Sequence, residues 1–340
     1  MSAHTRSSLR TKPLATLAAL LAFCAVSTLA HAQAKFTVGL PGIPPVFAGV
    51  QAMVAEKEGF FKKHGLDVTL RPFESGANAS RAVASGEVSV ALSPSGLVVS
   101  QISNTDVKLV AIYGLENPDW LLGSTDPNAT CDSLKGAAIG VDSVGGARSI
   151  ALKTLLIGGC KMKIEDVQQV ALSSNVGAAM IAGQLKFGVL HIDDVPVIED
   201  ETKKPLKHVI TQQMAKPLDH YLMLVANTDE LKKNRDAYVR FVAGLIEAER
   251  FMRDPKNARR VGEAAKETGR TVDYATKSLK VYTDMNFWPN GTDGLTPKNI
   301  ELLSKQMKDI GNIKGDKEVA PFTRIADPSI WKDARAMVKP

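Results

Sequence analysis

The stretch TVGLPGIPPVFAGVQAMVAEKEGFFKKHGLDVTL, Thr37 to Leu70, constrains the fold most, because it reads as strand, loop, helix and strand in one compact unit. Phe36 to Leu40 is a short apolar run bounded by Pro and Gly, which suits a buried strand. From Phe47 onward Val50, Met53, Val54 and Phe61 fall on one side of a 3.6-residue period, which predicts a helix packed on a sheet and closing at Lys62, Lys63, His64 and Gly65. Leu66 to Leu70 is the next strand, parallel to the first if the crossover has the usual right hand. Ligands of such sheets bind beyond the carboxyl ends of the strands, which places the loop holding Pro44, Pro45 and Phe47 at a cleft. A proline-rich loop loses little entropy on gripping a ligand.

The unit then recurs. Val88 to Leu92 reads as a third strand ending in Ser93, Pro94 and Ser95, also at the cleft, and Lys108 to Tyr113 as a fourth. Gly114 to Asp132 is turn-like and polar around an extended Trp120 to Leu122, the expected first passage between lobes. A second series of strands and helices runs from Ala137 to Ile192, and a return passage lies around Thr211 to His220. The expected division is 1–32, a leader; 33–122, the first part of lobe one; 123–220, lobe two; and 221–340, the rest of lobe one with C-terminal helices.

With 340 residues, 44% hydrophobic and 23% charged, the chain suffices for two cores of middling size. Arg6, Arg10 and Lys12 precede an apolar run from Leu14 to Ala30, and Ala30-His31-Ala32 fits a cleavage site, so residues 1–32 read as a signal peptide. Without these three cations the formal charge of +6 falls to +3. Basic residues elsewhere come in pairs such as Lys203-Lys204 and Arg259-Arg260, a pattern of solvated faces and not of nucleic-acid binding. The chain beyond the leader holds two cysteines, Cys131 and Cys160, and in an oxidising compartment a disulfide is the simplest reading.

Several residues stand out as candidates for the cleft. Gly145-Gly146 at a strand-to-helix turn offers backbone N–H groups to an anion, with Arg148 adding a cationic fork; the plain alternative is a packing turn with a surface arginine. His191, Asp193 and Asp194 end a strand, where they contact ligand or form a domain-edge turn with an Asp capping the helix after Pro196; a metal would need ligands that their spacing does not supply. Tyr113 and Trp120 stack on a ligand or plug the hinge. Nucleotide-binding glycine motifs are absent from the sequence, and no cofactor is expected.

Glu58-Gly59-Phe60-Phe61 with Gly65-Leu66-Asp67-Val68, then Ser85-Gly86-Glu87-Val88, Leu134-Lys135-Gly136 through Val141, Ala182-Gly183-Gln184 and Leu295-Thr296-Pro297 follow one another in an order that resembles the substrate-binding proteins of nitrate, sulfonate, taurine and thiamine-precursor ABC transporters. The resemblance spans nearly the whole chain after the leader. It implies the two-lobe, type II periplasmic-binding-protein form of the α/β class, each lobe an open, mostly parallel sheet flanked by helices. It also implies a monomer that closes over one small molecule and delivers it to an inner-membrane permease with its ATPase. Ser89 and Lys186 depart from the family, whose members usually carry acidic residues there, and this bears on the ligand more than on the fold. The expected ligand is a small organic anion such as a sulfonate or carboxylate, with a pyrimidine-like thiamine precursor as the alternative. The same fold carries a pyrimidine synthase and a desulfinase that depend on cysteines, but the first cleft loop here has none. An exported sensor component is the remaining alternative.

Overall fold

A computed structural model describes residues 34–338 except 143, 146, 173–175, 217, 218 and 310, together with residues 1 and 3. The expected signal peptide therefore lies outside the described residues, as does Gly146. Two five-stranded sheets organise the rest. The first contains β1 (Ala34–Pro41), β2 (Leu66–Phe73), β3 (Val90–Pro94), β4 (Leu109–Leu115) and β10 (Leu222–Asn227) in the order β2-β1-β3-β10-β4. The second contains β5 (Trp120–Ser124), β6 (Ala138–Val141), β7 (Gln168–Ala171), β8 (Phe187–His191) and β9 (Lys207–Thr211) in the order β7-β6-β8-β5-β9.

One strand in each sheet runs against the others. β10 pairs antiparallel with both β3 and β4, and β5 does so with both β8 and β9. These are the strands on which the chain enters a sheet after passing from the other. The described parts of the passages, 116–119 on one side and 212–216 with 219–221 on the other, therefore lead into the sheets at the carboxyl ends of the parallel strands, with Trp120 opposite His191 and Leu222 opposite both Pro94 and Leu115.

Both faces of each sheet are covered, as the continuous apolar strands require. Leu222, Leu224 and Ala226 of β10 face one core of the first lobe, while Met223 and Val225 face the other. In the first of these cores Phe241 of a long helix (Arg235–Arg253) stacks between Phe36 and Phe61 at centroid distances of 4.8 and 5.1 Å. The single helix expected from Phe47 to Lys63 is instead a short turn at Phe47–Gly49, α1 (Val50–Lys57) and a final turn at Phe60–Lys63. Gly59 sits at φ 76° between the last two, a left-handed geometry that interrupts the helix and that glycine adopts without strain.

In the second lobe α2 (Ala147–Leu155) packs Leu152 and Leu155 on Ile139, Val141 and Val189. It runs into a π-helical turn, Leu156–Cys160, that brings Cys160 to Cys131, their Cα atoms 5.4 Å apart in a disulfide. The bridge closes a span of 29 residues, and the turn that carries Cys160 packs against Ala215 of the return passage. Chain entropy alone assigns such a loop roughly 3 to 4 kcal/mol. The variant Cys131→Ser/Cys160→Ser should lose about that much in urea unfolding, and reduction of the unaltered protein should reproduce the loss.

Candidate functional site

The two passages, the ends of β4 and β8, and a first-lobe helix meet around one buried carboxylate, Asp119. Its Oδ1 lies 3.0 Å from His191 Nδ1, and its Oδ2 accepts from the Tyr282 hydroxyl at 2.6 Å. Tyr221 is electrostatically coupled to the same carboxylate, burial and the Asp119 charge raising the Tyr221 hydroxyl. The backbone joins in, since the Ile192 N–H donates to the Asp119 carbonyl at 3.1 Å. Tyr282 and Tyr221 belong to the first lobe, and His191 ends β8 of the second.

These contacts set the charges. Burial works against ionised Asp119, but the His191 ring and the hydroxyl donors outweigh it and hold the carboxyl below its ordinary range. Burial likewise opposes a charged His191, and the Asp119 carboxylate beside it overcomes this, raising the imidazole above 6.5. Tyr282 and Tyr221 are held well above their ordinary range by burial and by the Asp119 charge, so both remain donors.

Tyr282 is positioned by the loop that the sequence places at the cleft. Phe47 is buried and stacks on Tyr282 at 4.8 Å, with Phe287 and Trp288 closing the other sides. Pro44 is exposed and Pro45 half-buried. Pro44 abuts Gly269, where an added side chain would meet the proline ring at 3.2 Å and where φ is +82°. The turn that presents Arg270 thus requires a glycine.

Arg270 carries the second set of contacts. Its Nε meets Asp193 Oδ2 at 2.6 Å and its Nη2 meets Asp194 Oδ1. Burial raises the Asp193 carboxyl, with the Arg270 charge opposing; for Asp194 the same burial is outweighed by Arg270, and its carboxyl is lowered. Asp194 Oδ2 also accepts from the His191 backbone N–H at 3.0 Å, so it holds the turn before the helix Val195–Thr202 and does not cap that helix with its side chain. Asp119, His191 and Asp193 offer one ligand atom each within 4.8 Å of one another, a possible metal group among the described residues. Their geometry fits a network better than a cation. Both oxygens of Asp119 already contact His191 and Tyr282, and those of Asp193 contact Tyr282 and Arg270.

Arg148 reaches this group from α2. Its Nε donates to the Val189 carbonyl at 3.0 Å, its Nη2 stands 3.5 Å from Asp194 Oδ2, and its guanidinium lies 5.7 Å from the Trp120 ring, which itself lies tilted against His191 at 3.7 Å. The expectation that the turn before α2 offers unused N–H groups needs correcting for Gly145. Its amide donates to Ser149 Oγ at 3.0 Å, and the Arg148 amide donates to Asp142 Oδ1 at 3.2 Å. The helix start is capped by the chain's own side chains. Gly146 lies outside the described residues.

Other expected site residues divide. Trp120, Arg148, His191, Asp193 and Asp194 converge. Tyr113 is buried in the core of the first lobe, where its hydroxyl accepts from Gln51 Nε2 at 3.0 Å. Pro94 is exposed, and Ser93 is buried with its hydroxyl unpaired within the protein. Ser95 is buried against His220, its Oγ 2.7 Å from Nδ1. His220 Nε2 lies 2.7 Å from the Gly294 carbonyl, which can only accept, so the ring carries its proton on Nε2 and accepts from Ser95. Asp119, Tyr221, His220, Arg270 and Tyr282 were not singled out by the sequence.

The described residues define a two-lobe α/β fold of the kind used by periplasmic solute-binding proteins. The family described as NMT1/THI5 like matches residues 45–258, and the chain belongs to that family. A Brucella abortus protein named as a candidate binding protein is 25% identical over 199 residues, 58% of this chain. The match spans 61% of the length of that relative. Among solved structures, the periplasmic nitrate-binding protein NrtA of Synechocystis superimposes with a TM-score of 0.68 at 10% identity, covering 90% of this chain and 89% of that one. The aliphatic sulphonate binding protein SsuA of Escherichia coli gives 0.63 at 14%, covering 86% and 92%. A zinc-bound ligand-binding component of an ABC-type import system from Staphylococcus aureus gives 0.67 at 15%, covering 89% and 99%. At these identities the likeness is one of fold.

His220 supplies a test of the passage. Burial depresses its pKa from 6.5 to about 4. Across that window the unfolded chain binds a proton that the folded chain refuses, so stability is lost as pH falls from 6.5 towards 4, by up to about 1.4 kcal/mol per pH unit. Urea unfolding at pH 7 and pH 4.5 should show a smaller acid loss for His220→Gln than for the unaltered protein.

Proposed function

We propose that this chain is the exported solute-binding component of an ABC importer, working without catalysis, as a monomer, in the periplasm. It captures a small organic molecule between its lobes and presents it to an inner-membrane permease with its ATPase. The observation that carries this reading is the convergence of both passages and both lobes on one polar, aromatic-lined group at the carboxyl ends of the parallel strands. In such folds that is where ligands sit. The names and folds of the relatives support the same reading.

The ligand proposed is a small organic anion such as a sulfonate or carboxylate, held by Arg148. Val189 fixes the Arg148 side chain through Nε, while its Nη2 stands at only an ion-pair distance from Asp194. Asp194 is also paired with Arg270, so an incoming anion can take Arg148 without leaving that carboxylate uncompensated. A second reading, a neutral pyrimidine-like compound, draws on charge balance. With His191 charged, the three carboxylates Asp119, Asp193 and Asp194 face the three cations His191, Arg148 and Arg270.

Mass spectrometry of the solute released from gently purified protein identifies the compound to test. For an anion, loss of a charge-assisted hydrogen bond weakens binding of that solute to Arg148→Ala roughly ten- to a hundredfold in calorimetry. Unchanged affinity moves the reading to the neutral compound. Saturation with the solute should also compact the protein in small-angle scattering, and failure of every small solute to bind would defeat the importer reading.

A further inference from the structure

The helix α4 (Val272–Asp284) of the first lobe lies against α3 (Val195–Thr202) of the second and against the turn Ile192–Asp194 before it. Their facing sides carry opposite charge. Arg270, in the turn just before the helix, and Tyr274 and Lys277, neighbours on one face of it, meet Asp193 with Asp194, Glu201 and Asp200 respectively. Arg270 forks onto Asp193 and Asp194, the Tyr274 hydroxyl donates to Glu201 Oε1 at 3.4 Å, and Lys277 Nζ pairs with Asp200 Oδ2. Lys277 also lies 5.7 Å from the Tyr274 ring.

The series is graded in depth. Side-chain exposure rises from 9% at Asp193 and 25% at Arg270 to 42% at Asp200 and 51% at Lys277. The inner pairs are shielded from solvent ions, whereas the outer pair is open to screening. A mainly polar seam between lobes permits relative motion, unlike a fused apolar core.

We propose that this charge ladder between the two lobes sets how far the solute-free protein is closed, so that closure is tuned by ionic strength in addition to the solute. It rests on the reading of the lobes as moving parts given above. Coulomb attraction across the ladder favours the closed form before any solute arrives, and salt weakens its outer part first. A ligand then has only the remaining open fraction to recruit.

The test needs no ligand. Small-angle scattering is recorded on solute-stripped protein in sodium chloride from about 20 mM to about 1 M, where the screening length falls to about 3 Å. The radius of gyration should rise with salt. Lys277→Glu should already be more open at low salt, its closed-to-open ratio reduced about threefold or more. Asp200→Lys/Lys277→Glu, with the pair reversed, should return to the compact value. Both positions are half-exposed, and circular dichroism checks that the variants fold.

A radius indifferent to salt, a protein already open at low salt, no effect of Lys277→Glu, or no recovery in the double variant would each overturn the ladder. A protein that binds a solute but fails these tests loses the ladder and keeps the proposed function. One that passes them and binds no solute does the reverse.

Discussion

Asp119 is the constraint on which the rest of the cleft depends. A carboxylate with 2% exposure is costly to bury unless donors replace the water it has lost. The side-chain contacts come from parts of the chain far apart in sequence, Tyr282 and His191, with Tyr221 coupled to the same charge. All three lie against aromatic rings, Tyr282 against Phe47, Phe287 and Trp288, Tyr221 against Phe287, and His191 against the tilted ring of Trp120. Asp119 stands in the first passage between sheets, so satisfying it fixes where the lobes meet.

Around this anchor the charges form a gradient from inside to outside. The paired groups nearest Asp119 are sheltered, and removing one partner there would leave a buried charge uncompensated. Further out, Asp194 is shared between Arg270 and Arg148, which makes the Arg148 contact the one most easily exchanged for a ligand. The outermost pair, Lys277 with Asp200, is half in solvent and is therefore the first that salt screens. An arrangement of this kind suits a joint that must both hold and release.

Much of the fold was legible in the sequence because apolar runs and turn residues report local structure. The run from Phe36 to Leu40 lies within β1, and the cysteine pair forms its bridge. The helix after Phe47 was overextended because the apolar period continues through Gly59 to Phe61, while the positive φ at Gly59 breaks the backbone. The site was only partly legible. Trp120, Arg148, His191 and Asp193 are near the ends of recognisable strands or helices, so their position follows from the topology. Arg270 and Tyr282 lie 77 and 163 residues from the partners they meet, Asp193 and Asp119, and only the closed three-dimensional path brings them together. Asp119 itself looked like a turn residue before Trp120. A buried carboxylate next to an aromatic strand start, with Tyr221 at the matching return, is the signal that could have found it.

The account stands on an ionised Asp119 joined to a charged His191 inside the protein. The most direct measurement is the imidazole titration of His191 by nuclear magnetic resonance, assigned with His191→Gln, in the unaltered protein and in Asp119→Asn. The account predicts a pKa above 6.5 in the first and a fall below that value in the second, because burial then acts without its counter-charge. A His191 that titrates at or below 6.5 in the unaltered protein, and does not move in Asp119→Asn, would contradict it.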